Sequence, residues 1–357
     1  MGKKWVLAAK AVSVVVICLS LLWSGLALAA EDGQDSGESG EETEESSEAE
    51  GEEEQEAWQQ AEIFLSIASA APGSGDRLRE EIRKASGGRI FCNTYWNGSM
   101  GNDSELTAAV REGTISIVSC TTSSQSRLIP ELGLLDIPYL FADSGEYDEK
   151  LKGGLMDFFQ PYYNSAGLQL ITWYCPDLRK LTCGFPPETA EDLKNLRIRL
   201  MDNRYHEIYW RAVGAETFNI PIGNLFYSLQ QGLVNAQESP PYTGNTAEFY
   251  ELQNTIVMTY HVPYIGSVVM NKEAYDSLSP EDKELLEKVF RDYYAENAAS
   301  QSMLSEETLK NYYEYVITPE GELREALLAG VPAVEEALRQ DLGDEIVDAF
   351  YTILQEE

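Results

Sequence analysis

Residues Gly87–Asp103 read GGRIFCNTYWNGSMGND, and this stretch carries the pattern that decides the fold. Its two leading glycines end one helix, the run Arg89–Tyr95 predicts a strand, and the glycine turn after that strand leads into a second helix. Asn102 or Asp103 caps this second helix, which stops at Gly113. Such an alternation of strand and helix is typical of an α/β fold.

The segments on either side extend the same alternation. A strand over Ile63–Ala68 and a helix over Asp76–Ser86 precede the stretch, and a strand over Thr114–Cys120 follows it. The resulting βαβαβ run predicts a largely parallel sheet with helices on both faces. A second series of strands and helices lies between residues 168 and 270, so the chain has enough elements for two domains or lobes.

A long helix is predicted in the C-terminal third. The run Ser279-Pro280-Glu281-Asp282 combines a serine cap, a proline at the first helical position and acids in the first turn. No helix breaker follows until about Tyr315, and about 36 residues at 1.5 Å each would give a helix of about 54 Å. A helix of that length must cross both lobes or project from the molecule.

The composition argues against several classes of function. The 357 residues include 60 acidic and 26 basic ones, for a formal charge of −34. Nucleic-acid binding needs lysine and arginine at the phosphates, so we do not expect a nucleic-acid partner. Hydrophobic residues make up 43% of the chain, which is enough for a folded core. The chain has two histidines, and we predict neither a histidine-built metal site nor a cofactor.

The N-terminal residues predict export from the cytoplasm. Residues 1–30 combine basic residues, an apolar stretch and the cleavage site Ala27-Leu28-Ala29, which is typical of a signal peptide. The apolar run of about 20 residues is also long enough to span a bilayer, so a retained N-terminal anchor is the alternative. Both topologies place the body in the periplasm or at the cell surface. Residues 31–56 carry 14 acids and no base and predict a disordered linker, which would act as a tether if the leader is retained.

Four cysteines follow the leader, and two of them are candidates for a disulfide. Cys175 and Cys183 flank a predicted turn and could face each other across a hairpin, which an extracytoplasmic location would permit. Cys92 and Cys120 lie in strand-like runs and are interpreted as buried small apolar residues.

Motifs of the common enzyme classes do not occur in the sequence. We find no C-x-x-C, H-E-x-x-H, G-x-S-x-G or G-x-x-x-x-G-K pattern. No residue stands out as a tuned acid, base or nucleophile, so we predict that the chain is not an enzyme. His206 is interpreted as a plain packing or surface histidine, and His261, which follows a strand, is kept as a candidate for a role beside a ligand.

Arginines in or beside strand-like runs are the strongest chemical signal. In the predicted strand Arg197–Met201, Arg197 and Arg199 share one face because side chains alternate. Arg179 lies at the start of a similar run. An arginine held at a sheet edge can bind a carboxylate through two parallel hydrogen bonds. A solvated edge or an internal ion pair would explain the same pattern, and the residues alone leave this choice open.

Four segments of the chain together resemble the solute-binding proteins of TRAP transporters, of the dicarboxylate-binding (DctP) type. They are, in order, the stretch quoted above, Pro130–Phe141 (PELGLLDIPYLF), Glu191–Arg199 (EDLKNLRIR) and Gln237–Pro240 (QESP). The resemblance runs from about Ile63 to Tyr315. It implies a two-lobed clamshell like that of periplasmic binding proteins, with a long helix bridging both lobes.

The resemblance also implies a function and a site. Proteins of this type bind a small organic acid and deliver it to TRAP membrane permease subunits. One arginine forms the salt bridge to the ligand carboxylate in the family, and this role falls on Arg199, with Arg179 assisting. The other cleft residues implied by the resemblance are Asp103, Thr121, Ile222, Gln237 and Ser239. Candidates for aromatic side chains that complete the cage are Trp96, Trp173 and Tyr242.

Departures from the family pattern leave the ligand open. Ser239 stands where the family has an asparagine, so the amide donors of that position are missing. We expect one lobe from residues 57–175 plus 264–303 and the other from residues 176–263 plus 304–357, in a monomeric protein. A ligand-binding sensor module of the same fold and, less favoured, a secreted hydrolase are the alternative functions.

Overall fold

Two β-sheets organise the chain. The computed structural model describes residues 58–71, 73–141, 146, 150, 154–241, 248–301 and 306–356. The strands in chain order are β1 (Ile63–Ser69), β2 (Ile90–Tyr95), β3 (Ile117–Thr121), β4 (Leu168–Tyr174), β5 (Lys180–Cys183), β6 (Arg197–Leu200), β7 (Glu216–Asn219), β8 (Ala236–Ser239), β9 (Thr255–Val257), β10 (Gly266–Asn271) and β11 (Tyr315–Ile317). The predicted leader, residues 1–30, and the acidic linker, residues 31–56, lie outside the described residues.

Helices cover these sheets, and short 3₁₀ helices connect some of the elements. The α-helices are α1 (Asp76–Ala85), α2 (Asp103–Arg111), α3 (Thr122–Gln125), α4 (Met156–Ser165), α5 (Ala190–Leu193), α6 (Arg204–Ala212), α7 (Leu225–Gln230), α8 (Lys272–Asp276), α9 (Pro280–Gln301), α10 (Glu306–Leu309), α11 (Gly321–Leu328), α12 (Val331–Leu342) and α13 (Asp344–Glu356). The 3₁₀ helices are Pro130–Asp136, Ile222–Asn224 and Phe249–Glu251.

The first sheet has the strand order β2-β1-β3-β10-β4. Strand β1 runs parallel to β2 and β3, as the βαβαβ pattern predicts. Strand β10, however, runs antiparallel to both β3 and β4. The prediction of a largely parallel sheet therefore holds for β2, β1 and β3 but not for β10. Strand β10 runs against its neighbours because the chain leaves the first lobe along β4 and returns to it along β10 in the opposite direction.

Helix α2 shows why the quoted stretch folds as it does. The Asn102 side chain accepts hydrogen bonds from the backbone N–H groups of Ser104 and Glu105, and the Glu105 carboxylate accepts one from the Asn102 N–H. This reciprocal cap satisfies donors that the first turn would otherwise leave unpaired. The helix start is thereby fixed at the edge of the first sheet, where Asp103 follows the cap.

The second sheet has the order β11-β9-β5-β8-β6-β7 and is also mixed. Strands β6 and β8 are parallel, and Arg199 is paired in register with Gln237. Strand β5 is antiparallel to β8 and to β9. Ile198 and Leu200 of β6 are completely buried, so this strand is held firmly beneath the helices of the second lobe.

The long helix α9 is shorter than predicted. The Ser279 hydroxyl accepts a hydrogen bond from the Asp282 N–H at 3.1 Å and caps the helix, as the sequence indicates. The 22 residues of Pro280–Gln301 correspond to about 33 Å. Further along the predicted span, residues 306–309 form the short helix α10 and strand β11 begins at Tyr315, so the expectation of one helix up to Tyr315 is wrong at its C-terminal end.

Helix α9 belongs mainly to the first lobe, and the chain beyond it joins the second sheet. Leu286 and Phe290 pack in the apolar cluster of the first sheet. Strand β11 then pairs in parallel with β9 of the second sheet. The last helix, α13, packs Phe350 against Phe158 and Phe159 of the first lobe, so the segment from α10 to α13 contacts both lobes. Within the described ranges, no helix combines the length and the apolar character needed to cross a membrane.

Candidate functional site

A cavity of about 820 Å³ lies between the two lobes. Its walls come from the ends of strands in both sheets, from the start of α2 and from the C-terminal half of α9. Seven residues that the sequence nominated line it, namely Trp96, Asp103, Thr121, Arg179, Arg199, Ile222 and Ser239. The structure thus brings together side chains that lie up to 143 positions apart in the chain.

Arg199 is a buried cation on the floor of this cavity. It is 6% exposed, and its Nε donates a hydrogen bond to the Ile220 carbonyl oxygen at 2.6 Å, which orients the guanidinium group. In the part of the chain that the structure describes, Arg199 forms no ion pair with a carboxylate. Burial lowers the pKa of the guanidinium to about 10. The negative charge of Glu238 opposes this decrease, and the positive charge of Arg179 adds to it. The group is still positive at neutral pH and can bind an anion.

Arg179, in contrast, already has an anionic partner. Its Nη1 lies 3.2 Å from Glu238 Oε1 and 3.3 Å from Oε2, and its Nη2 lies 3.2 Å from the Met201 sulfur. Although burial opposes ionisation of Glu238, the positive charges of Arg179 and His206 hold the pKa of this carboxyl well below its usual range. Arg179 lines the cavity, but much of its charge is neutralised inside the protein.

Asp103, at the start of α2 in the first lobe, contributes a carboxylate to the lining of the cavity. Its Oδ2 lies 3.4 Å from the Thr121 hydroxyl, and among the described residues it has no ion-pair partner. Burial raises the pKa of the Asp103 carboxyl, while Thr121 and the more distant charges of Arg179 and Arg199 oppose the increase.

Thr121, Ser239 and Ile222 shape the cavity rather than adding charge to it. The Thr121 hydroxyl accepts a hydrogen bond from the Ser124 N–H and caps α3. The Ser239 hydroxyl lies 3.3 Å from the Pro240 carbonyl oxygen, and Ile222 is half-buried at the rim.

Trp96 forms an aromatic wall against a glycine loop. A Cβ at Gly75 would lie 2.6 Å from the Trp96 ring, and one at Gly73 would lie 3.4 Å from it. Such a short distance at Gly75 would force the ring to move. The glycines of this loop therefore leave room for the indole ring beside the cavity.

Two of the nominated side chains point elsewhere. Gln237 donates a hydrogen bond to the Thr182 hydroxyl at 2.7 Å inside the second lobe and does not line the cavity. It lies two residues further into the sheet than Ser239, about 7 Å from the strand end that reaches the cavity. Trp173 packs against Phe159 and Tyr163 in the first-lobe core. The expected cage roles of Gln237 and Trp173 are therefore corrected, and Tyr242 lies outside the described residues.

Several aromatic residues of the cavity were not predicted. Tyr174 follows Trp173 on β4 and points to the opposite face, into the cavity, because side chains alternate along a strand. Its ring stacks on that of Tyr294 at 4.4 Å between centroids. Tyr264 and Tyr293 also line the cavity. The alternation rule applied to the Trp-Tyr pair would have found Tyr174, whereas the tyrosines of α9 give no signal in the sequence.

The four described cysteines after the leader are buried and form no disulfide. The Cys175 sulfur lies 3.8 Å from the Asp177 carbonyl oxygen and the Cys183 sulfur lies 3.0 Å from the Phe185 carbonyl oxygen. The predicted Cys175–Cys183 disulfide is absent because the chain between them passes from the first lobe to the second and does not form a hairpin. Cys92 and Cys120 are buried in strands, as predicted.

Neither histidine lines the cavity. His206 is 2% exposed and lies between Asp136 and Glu238, and His261 Nε2 lies 3.4 Å from Glu238 Oε2. The interpretation of His206 as a plain packing or surface histidine is therefore corrected, because the buried ring belongs to a charge network with Asp136 and Glu238. The candidate ligand-side role of His261 has no support, since burial lowers its pKa and its ring stacks on Tyr209. In the described ranges, no group of three or more His, Cys, Asp or Glu side chains converges as a metal site would require.

Comparison with known proteins identifies the family. The sequence profile of bacterial extracellular solute-binding protein family 7, DctP, matches residues 73–341. A solute-binding protein of Verminephrobacter eiseniae is 28% identical over 210 residues, which cover 58% of this chain and 63% of that protein. The 2,3-diketo-L-gulonate-binding periplasmic protein YiaO of Escherichia coli is 28% identical over 218 residues, which cover 61% of this chain and 65% of YiaO. The chain therefore spans less than two thirds of the length of these two relatives.

A solved structure shows the same architecture. The sugar acid binding protein DctPAm from Advenella mimigardefordensis, in complex with galactonate, superimposes with a TM-score of 0.76 at 23% identity. The alignment covers 82% of this chain and 98% of that protein. The prediction of a two-lobed α/β fold like that of periplasmic binding proteins is confirmed.

The family also agrees with the prediction that the chain is not an enzyme, since its members are extracytoplasmic binding components of transporters. With a profile match over three quarters of its length, the chain belongs to bacterial extracellular solute-binding protein family 7, the DctP-type solute-binding proteins of TRAP transporters.

Proposed function

We propose that this protein binds a small organic acid in the cavity between its lobes and delivers it to a TRAP-type membrane permease. In this proposal the ligand carboxylate is held by Arg199, and closure of the lobes completes the cage around it. Family membership supports binding of a solute, and the cavity between the two lobes supports the location proposed for the binding site.

The observation that carries the proposal is the unpaired charge of Arg199. A buried charge is costly unless it is paired and hydrogen-bonded. Arg199 and Arg179 are both buried, at 6% and 3% exposure, yet of these two only Arg179 has a carboxylate partner among the described residues. An anionic ligand would supply the missing partner, and it would reach Arg199 from the cavity that this residue lines.

The chemistry of the group suits a carboxylate. A guanidinium group offers a planar fork of N–H donors that matches the two oxygens of a carboxylate. Its Nε already donates to the Ile220 carbonyl, which fixes the orientation of the fork before a ligand arrives. Such preorganisation reduces the entropy that binding would otherwise cost.

The names of two relatives support an acid as the ligand class. YiaO is named for 2,3-diketo-L-gulonate and DctPAm was crystallised with galactonate, and both ligands are carboxylates. This protein has Arg199 at the position that the resemblance assigns to the carboxylate-binding arginine. Ser239, however, stands where the family has an asparagine. We infer that it also takes an organic acid, with a pocket of its own beyond the carboxylate.

Titration calorimetry with a panel of organic acids tests the proposal, together with an Arg199→Ala variant. Removing one partner of a buried charge pair typically costs about 2–5 kcal/mol, which corresponds to a loss of affinity of about 30-fold to several thousand-fold. Arg197→Ala is the matched control because Arg197 lies two residues earlier on the same strand but is exposed. Equal affinity of the Arg199→Ala variant and the wild type would show that Arg199 does not bind the ligand carboxylate.

The cellular setting follows as part of the same proposal. We propose that the two lobes follow the boundaries given above, that the protein acts as a monomer, and that residues 1–30 direct it outside the cytoplasm. The acidic residues 31–56 would then serve as a tether if the leader is retained and as a soluble tail if it is cleaved. N-terminal sequencing of protein from the native host distinguishes these two forms.

A further inference from the structure

The charged side chains of the cavity are mostly satisfied within the protein. Arg127 pairs with Asp202 at 2.6 Å, and Arg179 pairs with Glu238. Glu105 accepts the N–H of Asn102 and is committed to the helix cap. When these groups are set aside, the described lining retains one arginine and one carboxylate without an ion-pair partner, Arg199 from the second lobe and Asp103 from the first.

A carboxylate in an acid-binding cavity needs an explanation. Asp103 is an acceptor when ionised, and it would repel a second carboxylate on the ligand. Its place in the first turn of α2 is favourable for an acid, but Asn102 and Glu105 already cap that helix. Its contact with the Thr121 hydroxyl is long, at 3.4 Å, so the carboxylate has capacity for a better donor. Burial raises the pKa of this carboxyl, and the hydrogen bonds from Thr121 oppose that increase.

Hydroxyl groups lie on the same wall as Asp103. The Ser119 and Tyr174 hydroxyl oxygens are 3.1 Å apart, and both residues line the cavity. The wall of the first lobe is therefore suited to a polar part of a ligand, and the floor of the second lobe is suited to an anionic part.

We propose that the site selects organic acids with one carboxylate and hydrogen-bond donors at the opposite end, with the carboxylate at Arg199 and the donors at Asp103. This inference rests on the proposed function and adds the ligand class to it. The donor can be a hydroxyl or an ammonium group, because either satisfies a carboxylate. A dicarboxylate is excluded as a good ligand, since its second negative charge would lie against Asp103.

Four six-carbon acids separate these cases in a calorimetric titration. Galactonate carries hydroxyls, 6-aminohexanoate carries a terminal ammonium, hexanoate carries no donor, and adipate carries a second carboxylate. We expect the better of the first two to bind on the order of tenfold or more tightly than hexanoate and adipate, as one charge-assisted hydrogen bond implies. The choice between galactonate and 6-aminohexanoate identifies the type of donor.

An Asp103→Asn variant tests the residue itself. It keeps the size of the side chain but removes the negative charge, so we expect the preference for the donor-bearing acid over adipate to fall on the order of tenfold. Glu112→Gln, at the exposed end of the same helix, is the control with the same change in charge and should leave the preference unchanged. Thermal unfolding without ligand verifies that each variant is folded. A merely structural role of Asp103 would weaken all four acids equally and would not move this ratio.

The outcomes distinguish this inference from the proposed function. If none of the four acids binds the wild type, the proposed function fails and this inference fails with it. If the acids bind through Arg199 but adipate or hexanoate binds as tightly as the better donor-bearing acid, only the present inference is overturned. An unchanged preference in Asp103→Asn overturns it as well.

Discussion

His206 Nε2 lies 3.2 Å from Asp136 Oδ1, at the junction between the two lobes. The other ring nitrogen, Nδ1, lies 3.3 Å from Glu238 Oε1 of the second sheet. Asp136 also accepts hydrogen bonds from the Ser123 hydroxyl and the Asn203 amide. Burial alone would lower the pKa of His206, but the two carboxylates outweigh it and raise this pKa to about 9. The histidine is therefore positive at neutral pH and links the 3₁₀ helix Pro130–Asp136 to β8.

This arrangement predicts a loss of stability as the pH rises. A pKa raised from 6.5 to about 9 on folding means that the stabilisation is complete below pH 6.5 and disappears as the pH rises to about 9. The shift corresponds to about 3 kcal/mol of unfolding free energy. Urea unfolding at a series of pH values measures this effect.

A His206→Gln variant serves as the comparison. Because it leaves two buried carboxylates without their shared cation, we expect it to lose about 3–5 kcal/mol at neutral pH. Its stability should no longer fall between pH 6.5 and 9. His261→Gln should keep the alkaline decline, since the pKa of His261 is lowered and its titration affects the acidic side. Parallel pH curves for wild type and His206→Gln would contradict the assignment.

Gly133 of the 3₁₀ helix is predicted to be intolerant of any side chain. A Cβ at this position would lie 2.0 Å from the Tyr205 ring, which is buried on α6. The ring would have to move, so we expect Gly133→Ala to cost about 1–3 kcal/mol in unfolding free energy. Gly223→Ala is the control, because a Cβ there would meet no atom within 4 Å. Equal melting temperatures for the two variants would show that the junction is more adaptable than its packing indicates.

The helix caps could be predicted because local patterns determine them. The caps of α2 and α9 depend on a few neighbouring residues, so Asn102 and Ser279 could be identified without knowledge of the tertiary fold. The alternation in β6 placed Arg199 on one face of a strand, but only the family resemblance gave it a role at the ligand. The ordering of strands is not local. Nothing near Gly266 in the sequence indicates that β10 inserts antiparallel between β3 and β4, because that depends on where the chain returns from the second lobe.

Errors at the site have the same origin. Trp173 and Tyr174 are both plausible as cavity residues, and only the direction in which β4 faces decides that Tyr174 reaches it. The charge network around His206 was also missed, because its members Asp136 and Glu238 are 70 and 32 positions away in the chain. Long-range pairing of this kind is invisible in a single sequence.

The ion pair between Arg127 and Asp202 spans the two lobes at the cavity and is largely exposed, with 67% and 38% of the side chains accessible. Exposed pairs contribute at most about 1 kcal/mol, so we expect Asp202→Asn to weaken binding of the tightest acid by less than about fivefold. This effect should disappear in about 1 M salt, where charges are screened within about 3 Å. Asp341→Asn removes an ion pair with Arg204 that does not line the cavity, and it should not change affinity. A larger loss that persists in salt would mean that Asp202 contacts the ligand directly.

The cysteines are predicted to remain thiols in protein purified without a reductant. Cys175 and Cys183 are both buried, and burial raises the pKa of Cys183 to about 12, so neither should react with iodoacetamide in the folded state. After unfolding in urea without a reductant, mass spectrometry should find alkylation on both residues, because no disulfide has to be reduced first. Cys92, in a different strand and equally buried, gives the reference for a thiol that has no candidate partner. If Cys92 were labelled without a reductant but Cys175 and Cys183 only after reduction, the prediction of reduced thiols would be wrong. The Cys175–Cys183 disulfide would then be present.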